Sequence, residues 1–207
     1  NIAAIDQALD SPTNNWCTMN SLDNYYAGAT FSEGNLKFAH GSSPWTYNTA
    51  TFGVSSGLWY WEMKCVDAGS SGSGLQPTVG IASKPSTAVD DALGVAQYNW
   101  GYRSYQQDVF SNASTVLGSL STFTDDDIIG VYMDLDNNKL YFSKNGTLEN
   151  TTGISLTATS STNTGVYFPA AGDNKDNVSS IWEANFGSPS FSISSGNADD
   201  NGYGSFE

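Results

Sequence analysis

Positive charge is the scarcest property of this chain. Seven Lys and Arg residues stand against 21 Asp and Glu, for a formal net charge of −14 and a pI near 4.1. Nucleic-acid binding needs a cationic track that displaces counterions from phosphate, and none exists here, which excludes a nucleic-acid partner. An anionic membrane surface would repel the chain for the same reason. No apolar run approaches the length of a bilayer span, so no membrane insertion is expected. The acidic balance suits solubility, including in salty water, or attraction to cationic or divalent-rich surfaces.

Helical stripes are missing too. The best helical candidates are "NIAAIDQAL" at the start and "STAVDDALGVA" at 86–96, both short. Cysteine is limited to Cys17 and Cys65 and histidine to His40. Cys65 alternates with Trp59, Trp61 and Met63, which predicts a buried thiol on an apolar face. A disulfide between the two cysteines stays open if their strands are neighbours. The chain starts with Asn1 and closes in "NADDNGYGSFE", and both ends read as cuts in a longer polypeptide.

What is abundant is Gly, Ser, Thr, Asn and aromatic residues, arranged in short strand-like runs. These are "WCTMNSL" (16–22), "ATFSEGNLKFAH" (29–40), "TATFGV" (49–54), "LWYWEMKCV" (58–66), "PTVGIAS" (77–83), "YRSYQQDVF" (102–110), "GVYFPAAG" (165–172), "SIWEANFG" (180–187) and "SFSIS" (190–194). "SEGN" at 32–35 reads as a tight turn, and "DAGSSGSG" (67–74) and "TATSSTNTG" (157–165) as loops. Many short strands with Gly-rich connections predict an all-β sandwich or barrel with at most short helices.

The clearest signal is "DIIGVYMDLDNNKLYFSKNG", where period-two alternation on both sides of Asn137 and Asn138 predicts a β-hairpin. A two-residue loop at these asparagines would set Asp136 against Lys139, Leu135 against Leu140 and Met133 against Phe142. That register places Met133, Leu135, Leu140 and Phe142 on one apolar face. A calcium loop is the weaker reading, because from Asp134 the sixth position is Lys139 and the twelfth Asn145, where an EF-hand needs Gly and Glu.

Five quoted stretches then fall in the order of the SPRY (B30.2-like) domain family: "GLWYWEMKC", "VGIAS", "DDDIIGVYMDLDNNKLYFSKNG", "VYFPAAG" and "ANFG". Asp127, Ile129, Gly130, Asp134, Asp136, Phe142, Asn145 and Gly146 match that family's central block at its spacing. The opening "DSPTNNWCTMNS" is similar to the version found in structural proteins of marine phages. The resemblance spans about residues 16–190. It implies a bent antiparallel β-sandwich of the concanavalin/SPRY-like jelly-roll type, whose loops at one side hold a partner. Family members are overwhelmingly non-catalytic, and fold alone does not transmit function. The expected division is a lead-in at 1–10, the sandwich at 11–194 and the start of a C-terminal extension at 195–207.

Catalytic constellations fail one by one. Gly53-Val54-Ser55-Ser56-Gly57 satisfies G-x-S-x-G, but a strand follows where a helix should, and His40 precedes it. His40 reads as a surface or turn residue. A laminarinase-type E-x-D-x-x-E site would begin at Glu62, but Lys64 replaces the middle acid, so Glu62 reads as the outward Glu of a scaffold strand. Asp125, Asp126 and Asp127 read as a solvated edge. "DNKDN" (173–177) offers oxygen ligands for calcium but reads as a polar turn. Sequons at Asn112, Asn145, Asn150 and Asn177 are no more than this Asn and Ser/Thr content produces by chance. No catalytic residue, metal site or cofactor is expected.

Aromatic side chains beside Arg supply the candidate contacts, since Tyr, Trp and Arg anchor interfaces and stack on sugars or peptides. The candidate ligand-binding residues are Trp45, Tyr47, Tyr98, Trp100 and Arg103. The expected function is a non-enzymatic binding or structural module of a phage virion protein (tail, fibre or surface decoration) serving assembly or host attachment. Its location would be the virion, outside cells, and its partners a virion protein or a host-surface protein or glycan, with oligomers in the virion allowed. A lectin-like carbohydrate-binding module is the alternative, and a glycan-cleaving enzyme on a concanavalin-like fold comes third.

Overall fold

The computed structural model describes residues 16–24, 26, 28–41, 45–69, 77–88, 91–174, 179–199 and 201–207. In chain order its strands are β1 (Thr30–Ser32), β2 (Lys37–Ala39), β3 (Tyr47–Thr49), β4 (Leu58–Asp67), β5 (Pro77–Ala82), β6 (Asn99–Arg103), β7 (Asp108–Ser111), β8 (Ser114–Gly118), β9 (Ile128–Asp134), β10 (Lys139–Lys144), β11 (Thr147–Leu148), β12 (Ile154–Ser155), β13 (Phe168–Asp173) and β14 (Ile181–Asn185). Two single-turn 3-10 segments, Glu33–Asn35 and Thr159–Ser161, are the helical content described. The all-β sandwich expected from the sequence is the fold observed.

An eight-stranded sheet has the order β1-β2-β14-β4-β9-β10-β11, with β12 also pairing β10; a six-stranded sheet has the order β3-β13-β5-β6-β7-β8. All the named strand pairings are antiparallel. Period two decides what lies between the layers. From β4, Trp61, Met63 and Cys65 point inward; from β9, Ile129, Val131 and Met133; from β10, Leu140 and Phe142, and all are buried. Tyr102 of the second sheet meets Phe142 of the first edge-on at 5.4 Å and Phe123 at 5.0 Å. Edge-to-face pairs of this kind add roughly 0.5 to 1.5 kcal/mol beyond the area they bury.

The central hairpin differs from its expected register in an instructive way. Lys139 pairs with Asp134, Leu140 with Met133 and Phe142 with Val131, so the loop is 135–138 rather than Asn137-Asn138 alone. The Asp134 carboxylate accepts from the Asn137 backbone N–H at 2.9 Å and from its side-chain amide at 2.8 Å, while Asn138 takes a left-handed φ of 54°. These features hold the longer loop. The shift is by two residues, which preserves parity, so Met133, Leu140 and Phe142 still share the inner face and Leu135 is buried at the loop's start.

Other expectations need correction. The run 102–110 is not one strand but two, β6 and β7, joined by the turn at 104–107. The run 16–22 contributes only an isolated bridge between Met19 and Ala50, and 190–194 forms no strand. β8 was not anticipated, because an exposed edge strand shows no apolar alternation. The described part of 86–96 is turn and irregular chain without a helix. Cys17 and Cys65 are buried, free thiols, and burial pushes both above the ordinary thiol value. The lead-in 1–10 with its helical candidate, most of the 67–74 loop, and Lys175 to Asn177 of "DNKDN" lie outside the described residues. Among the described residues no helix is long and apolar enough to cross a membrane.

Candidate functional site

The outer face of the first sheet departs most from a bland scaffold. Alternation turns Tyr60, Tyr132 and Tyr141 away from the core, and the register sets them side by side: Tyr60 opposite Tyr132 and Tyr132 opposite Tyr141. The Tyr60 and Tyr132 rings lie 4.3 Å apart. In the next row Glu62 faces Gly130, which faces Ser143. A Cβ at position 130 would collide with Ser143 Oγ and lie 2.7 Å from the Tyr60 hydroxyl. Glycine at that point lets Tyr60 lean across and donate to Glu62 Oε1 at 2.6 Å.

Glu62 points outward, as expected, but is fully buried rather than exposed. The cover comes from residues 195–199 and 201–207, which turn back onto the sheet and pair with one another. Asp199 Oδ1 accepts from the backbone N–H groups of Asn201 and Tyr203, and Asn197 exchanges backbone hydrogen bonds with Phe206 at 2.8 and 2.7 Å. Asn185 Nδ2 donates to Glu62 Oε2 and to the Ser205 carbonyl, both at 2.7 Å. The Glu207 N–H donates to Glu62 Oε1 at 2.8 Å, and the Phe206 ring stands edge-on to Tyr60 at 5.1 Å. Burial raises the Glu62 pKa, against the hydrogen bonds from Tyr60, Asn185 and Glu207.

Between this hairpin and the end of the sheet runs a groove. Leu58 (74% exposed), Leu148 (45%) and Tyr203 (54%) line it together with the half-buried tyrosines, and it wraps round the end of the sheet to Trp59 (44%), which shares the inward parity of Trp61 and stands opposite Met133. Its carboxylates are Asp134, Asp199 and Glu207, and no Lys, Arg or His is among its described lining residues. Hydrogen bonds from Asn137 hold the Asp134 carboxyl below its ordinary pKa, and those from Ser194 do the same for Glu207. The groove therefore combines apolar rings with fixed negative charge.

The five residues chosen from sequence are not gathered on one surface. Trp45 is 38% exposed beside β3. Tyr47 is fully buried, its hydroxyl donating to the Lys84 carbonyl at 3.1 Å and accepting from Asn99 Nδ2 at 2.9 Å. Trp100 is 5% exposed and packs edge-on against Tyr167 at 5.7 Å. Tyr98 is half-buried against the core with a φ of 66°. Arg103 grips Asp108 through two hydrogen bonds of 2.8 and 2.6 Å and lies 3.7 Å from the Phe110 ring centre. Tyr47 and Trp100 thus serve the interior, and Arg103 holds its own hairpin together.

Sequence reasoning passed over Tyr60, Tyr132, Tyr141, Leu148, Tyr203 and Phe206. The available signal was that the positions alternating with Met133 and Phe142 are aromatic, where an outward face should be polar.

A second constellation has catalytic chemistry without access. His40, expected at the surface, is buried, with Nδ1 3.1 Å from Asp173 Oδ2 and Nε2 3.1 Å from Thr46 Oγ1. The Ser180 N–H also donates to Asp173 Oδ2, at 3.1 Å. Hydroxyl, imidazole and carboxylate stand in the order of a general-base relay. All three are at most 1% exposed, so no substrate reaches the hydroxyl and the set acts as a buried polar tie. Ser55 of the G-x-S-x-G stretch has no histidine to use, since the chain's single His is committed here. Among the described residues no group of three or more His, Cys, Asp or Glu could hold a metal ion.

Comparison with known proteins gives this geometry a context. Residues 58–185 match the family model described as the SPRY domain. The chain is 31% identical over 133 residues to the ATP-dependent RNA helicase DDX1 of Xenopus laevis, covering 64% of this chain and 16% of that protein. It is also 31% identical over 105 residues to the probable ATP-dependent RNA helicase ddx1 of Dictyostelium discoideum, covering 51% of this chain and 12% of that protein. The chain thus spans under a fifth of either helicase. The crystal structure of the SPRY domain of human HERC1 superposes with a TM-score of 0.59 at 20% identity, covering 75% of this chain and 91% of that one. The chain belongs to the SPRY domain family, a protein–protein interaction module built on this two-sheet sandwich.

Proposed function

We propose that this chain is a non-enzymatic recognition module, that the aromatic groove running from the outer face of the first sheet round its end is its contact surface, and that it works within a phage virion. The observation that carries the reading is the clustering of Leu58, Trp59, Leu148 and Tyr203, all 44% to 74% exposed, around one groove. Contiguous exposed apolar patches on folded domains mark interaction sites. Glu62 beneath the terminal hairpin and Thr46 beside His40 are both sealed from solvent, which speaks against catalysis at either.

The phage context is supported by the opening "DSPTNNWCTMNS" and by the strongly acidic composition, suited to a particle exposed to salty water. In a tail, fibre or surface decoration, outside cells, the module would join virion proteins during assembly or hold a host-surface protein or glycan. The rings beside carboxylates also favour a second reading as a carbohydrate-binding module, because sugars stack on Tyr and Trp.

The test compares the chain with its Trp59→Ala variant for binding to purified virion proteins and to host-cell surfaces. Loss of roughly tenfold or more in affinity is expected for an exposed tryptophan that anchors a contact; unchanged binding would remove the groove from the reading. Mass spectrometry of purified particles that lacks this chain would remove the virion role. Saturable glycan-array binding that disappears in Trp59→Ala would favour the carbohydrate reading over the protein one.

A further inference from the structure

We infer that the groove selects a partner segment both basic and apolar: an extended peptide carrying Lys or Arg beside an aliphatic or aromatic side chain. The inference rests on the groove being the contact surface proposed above. Its charge half comes from Asp134, Asp199 and Glu207, which no basic residue in the described lining compensates. Lys139 lies opposite Asp134 in the ladder, yet its Nζ turns to Ser155 Oγ at 3.1 Å. Lys144, Lys64 and Lys37 are paired with Asp127, Asp126 and Glu183 at 3.0, 2.8 and 2.8 Å. The negative potential of the groove is therefore left for a partner, and apolar walls strengthen its attraction for a cation. Tyrosine and tryptophan rings add a favourable face for the same cation.

The apolar half comes from the chain's own tail. Ser205 to Glu207 lie along this face as an extended segment, with one carbonyl held by Asn185, one N–H held by Glu62 and the ring between them set against Tyr60. That arrangement shows how the row takes a peptide: side-chain groups grip the backbone and a tyrosine receives the side chain. Phe206 fills one end of the row. Tyr132, Tyr141 and Leu148 continue it half-exposed or exposed, bordered by the carboxylates.

The experiment is fluorescence anisotropy of the whole chain with three labelled peptides, Lys-Leu-Lys-Leu-Lys-Leu, Lys-Ser-Lys-Ser-Lys-Ser and Glu-Leu-Glu-Leu-Glu-Leu. The Lys-Leu peptide is expected to bind saturably and about tenfold tighter than either control, weakening as salt rises. Leu58→Ser and Trp59→Ala should weaken it severalfold. So should the double variant Asp134→Asn and Asp199→Asn, which keeps an oxygen for each turn but removes two charges. Near-ultraviolet circular dichroism confirms that each variant is folded. Lys-Leu binding that survives Leu58→Ser and Trp59→Ala unchanged would be diffuse attraction to an acidic protein and would overturn the inference. Glu-Leu binding as tight as Lys-Leu, but lost in Trp59→Ala, would overturn the basic partner while leaving the groove as a contact surface. If none of the three peptides binds, the inference fails, and the effect of Trp59→Ala on virion-protein and host-surface binding decides separately whether the groove reading survives.

Discussion

The backbone N–H of Glu207 donates to the buried carboxylate of Glu62 at 2.8 Å, fastening the last described residue to the middle of β4. Both Glu62 oxygens are in use: Oε1 also accepts from Tyr60 and Oε2 from Asn185. A glutamine has only one acceptor oxygen, so Glu62→Gln sets an amide donor against a donor. The expected loss is about 1 to 3 kcal/mol, the usual cost of a buried group left unsatisfied. Urea unfolding monitored by tryptophan fluorescence measures it, and wild-type stability in the variant would mean that the tail does not rest on Glu62.

Phe142 is wholly buried between the sheets, edge-on to Tyr102 at 5.4 Å. Truncation to alanine removes a ring from a site whose neighbours come from two rigid layers. The expected cost is about 3 to 5 kcal/mol, read as a lower midpoint in chemical denaturation at unchanged slope. A cost under about 1 kcal/mol would place Phe142 outside the close-packed interior.

Asp136, in the central hairpin loop, accepts a hydrogen bond from the Gly57 N–H at 2.8 Å in an exposed setting. Asparagine retains that acceptor. Asp136→Asn should therefore change stability by no more than about 0.5 kcal/mol. A chelator should also leave the melting temperature where it was. A drop on chelation that the variant abolishes would turn the loop into an ion site.

Burial pushes the Asp23 carboxyl up to about 6, even though Thr49 donates to it from both its backbone N–H and its hydroxyl. A raised folded-state value means that the folded form holds this proton more tightly than the unfolded chain. The contribution is complete below the ordinary value of 3.8 and is lost as pH rises through about 6. Glu62, raised by burial as well, acts in the same direction. Asp23→Asn keeps an acceptor for Thr49 and cannot titrate. Its stability should fall less steeply with rising pH between about 4 and 6 than that of the wild type, as thermal melts across a buffer series would show. Parallel profiles would assign the trend to other groups.

The layered core was legible because strands announce their inner face by parity, and parity withstands small errors. The central hairpin shows this: the loop was read two residues too short, yet Met133, Leu140 and Phe142 stayed inside because a shift of two does not exchange faces. What parity does not say is what lies on the far side. Glu62 was read as facing away from the core, and it does, but the hairpin that covers it comes from a stretch with almost no pattern of its own. Side-chain type misled in a different way. Tyr47 and Trp100 have the chemistry of contact residues and equally that of core residues, and only neighbours distant in sequence, Asn99 and Tyr167, decide between the two. The partner of Arg103 was not legible because reading 102–110 as one strand hid the turn that brings Asp108 back to it. His40 was misplaced for a related reason, since Asp173, which sits against it, belongs to a strand far along the chain.

The position of residue 207 has a practical corollary for anyone labelling the protein. Its side chain is tied to Ser194 and its carbonyl to Asn197, hard against the aromatic cleft. A fluorophore or affinity handle joined there would emerge into the very space a ligand needs and could pry the clasp from β4. The turn at Asn112 and Ala113, on the edge of the opposite layer, offers an attachment point that leaves the cleft unobstructed.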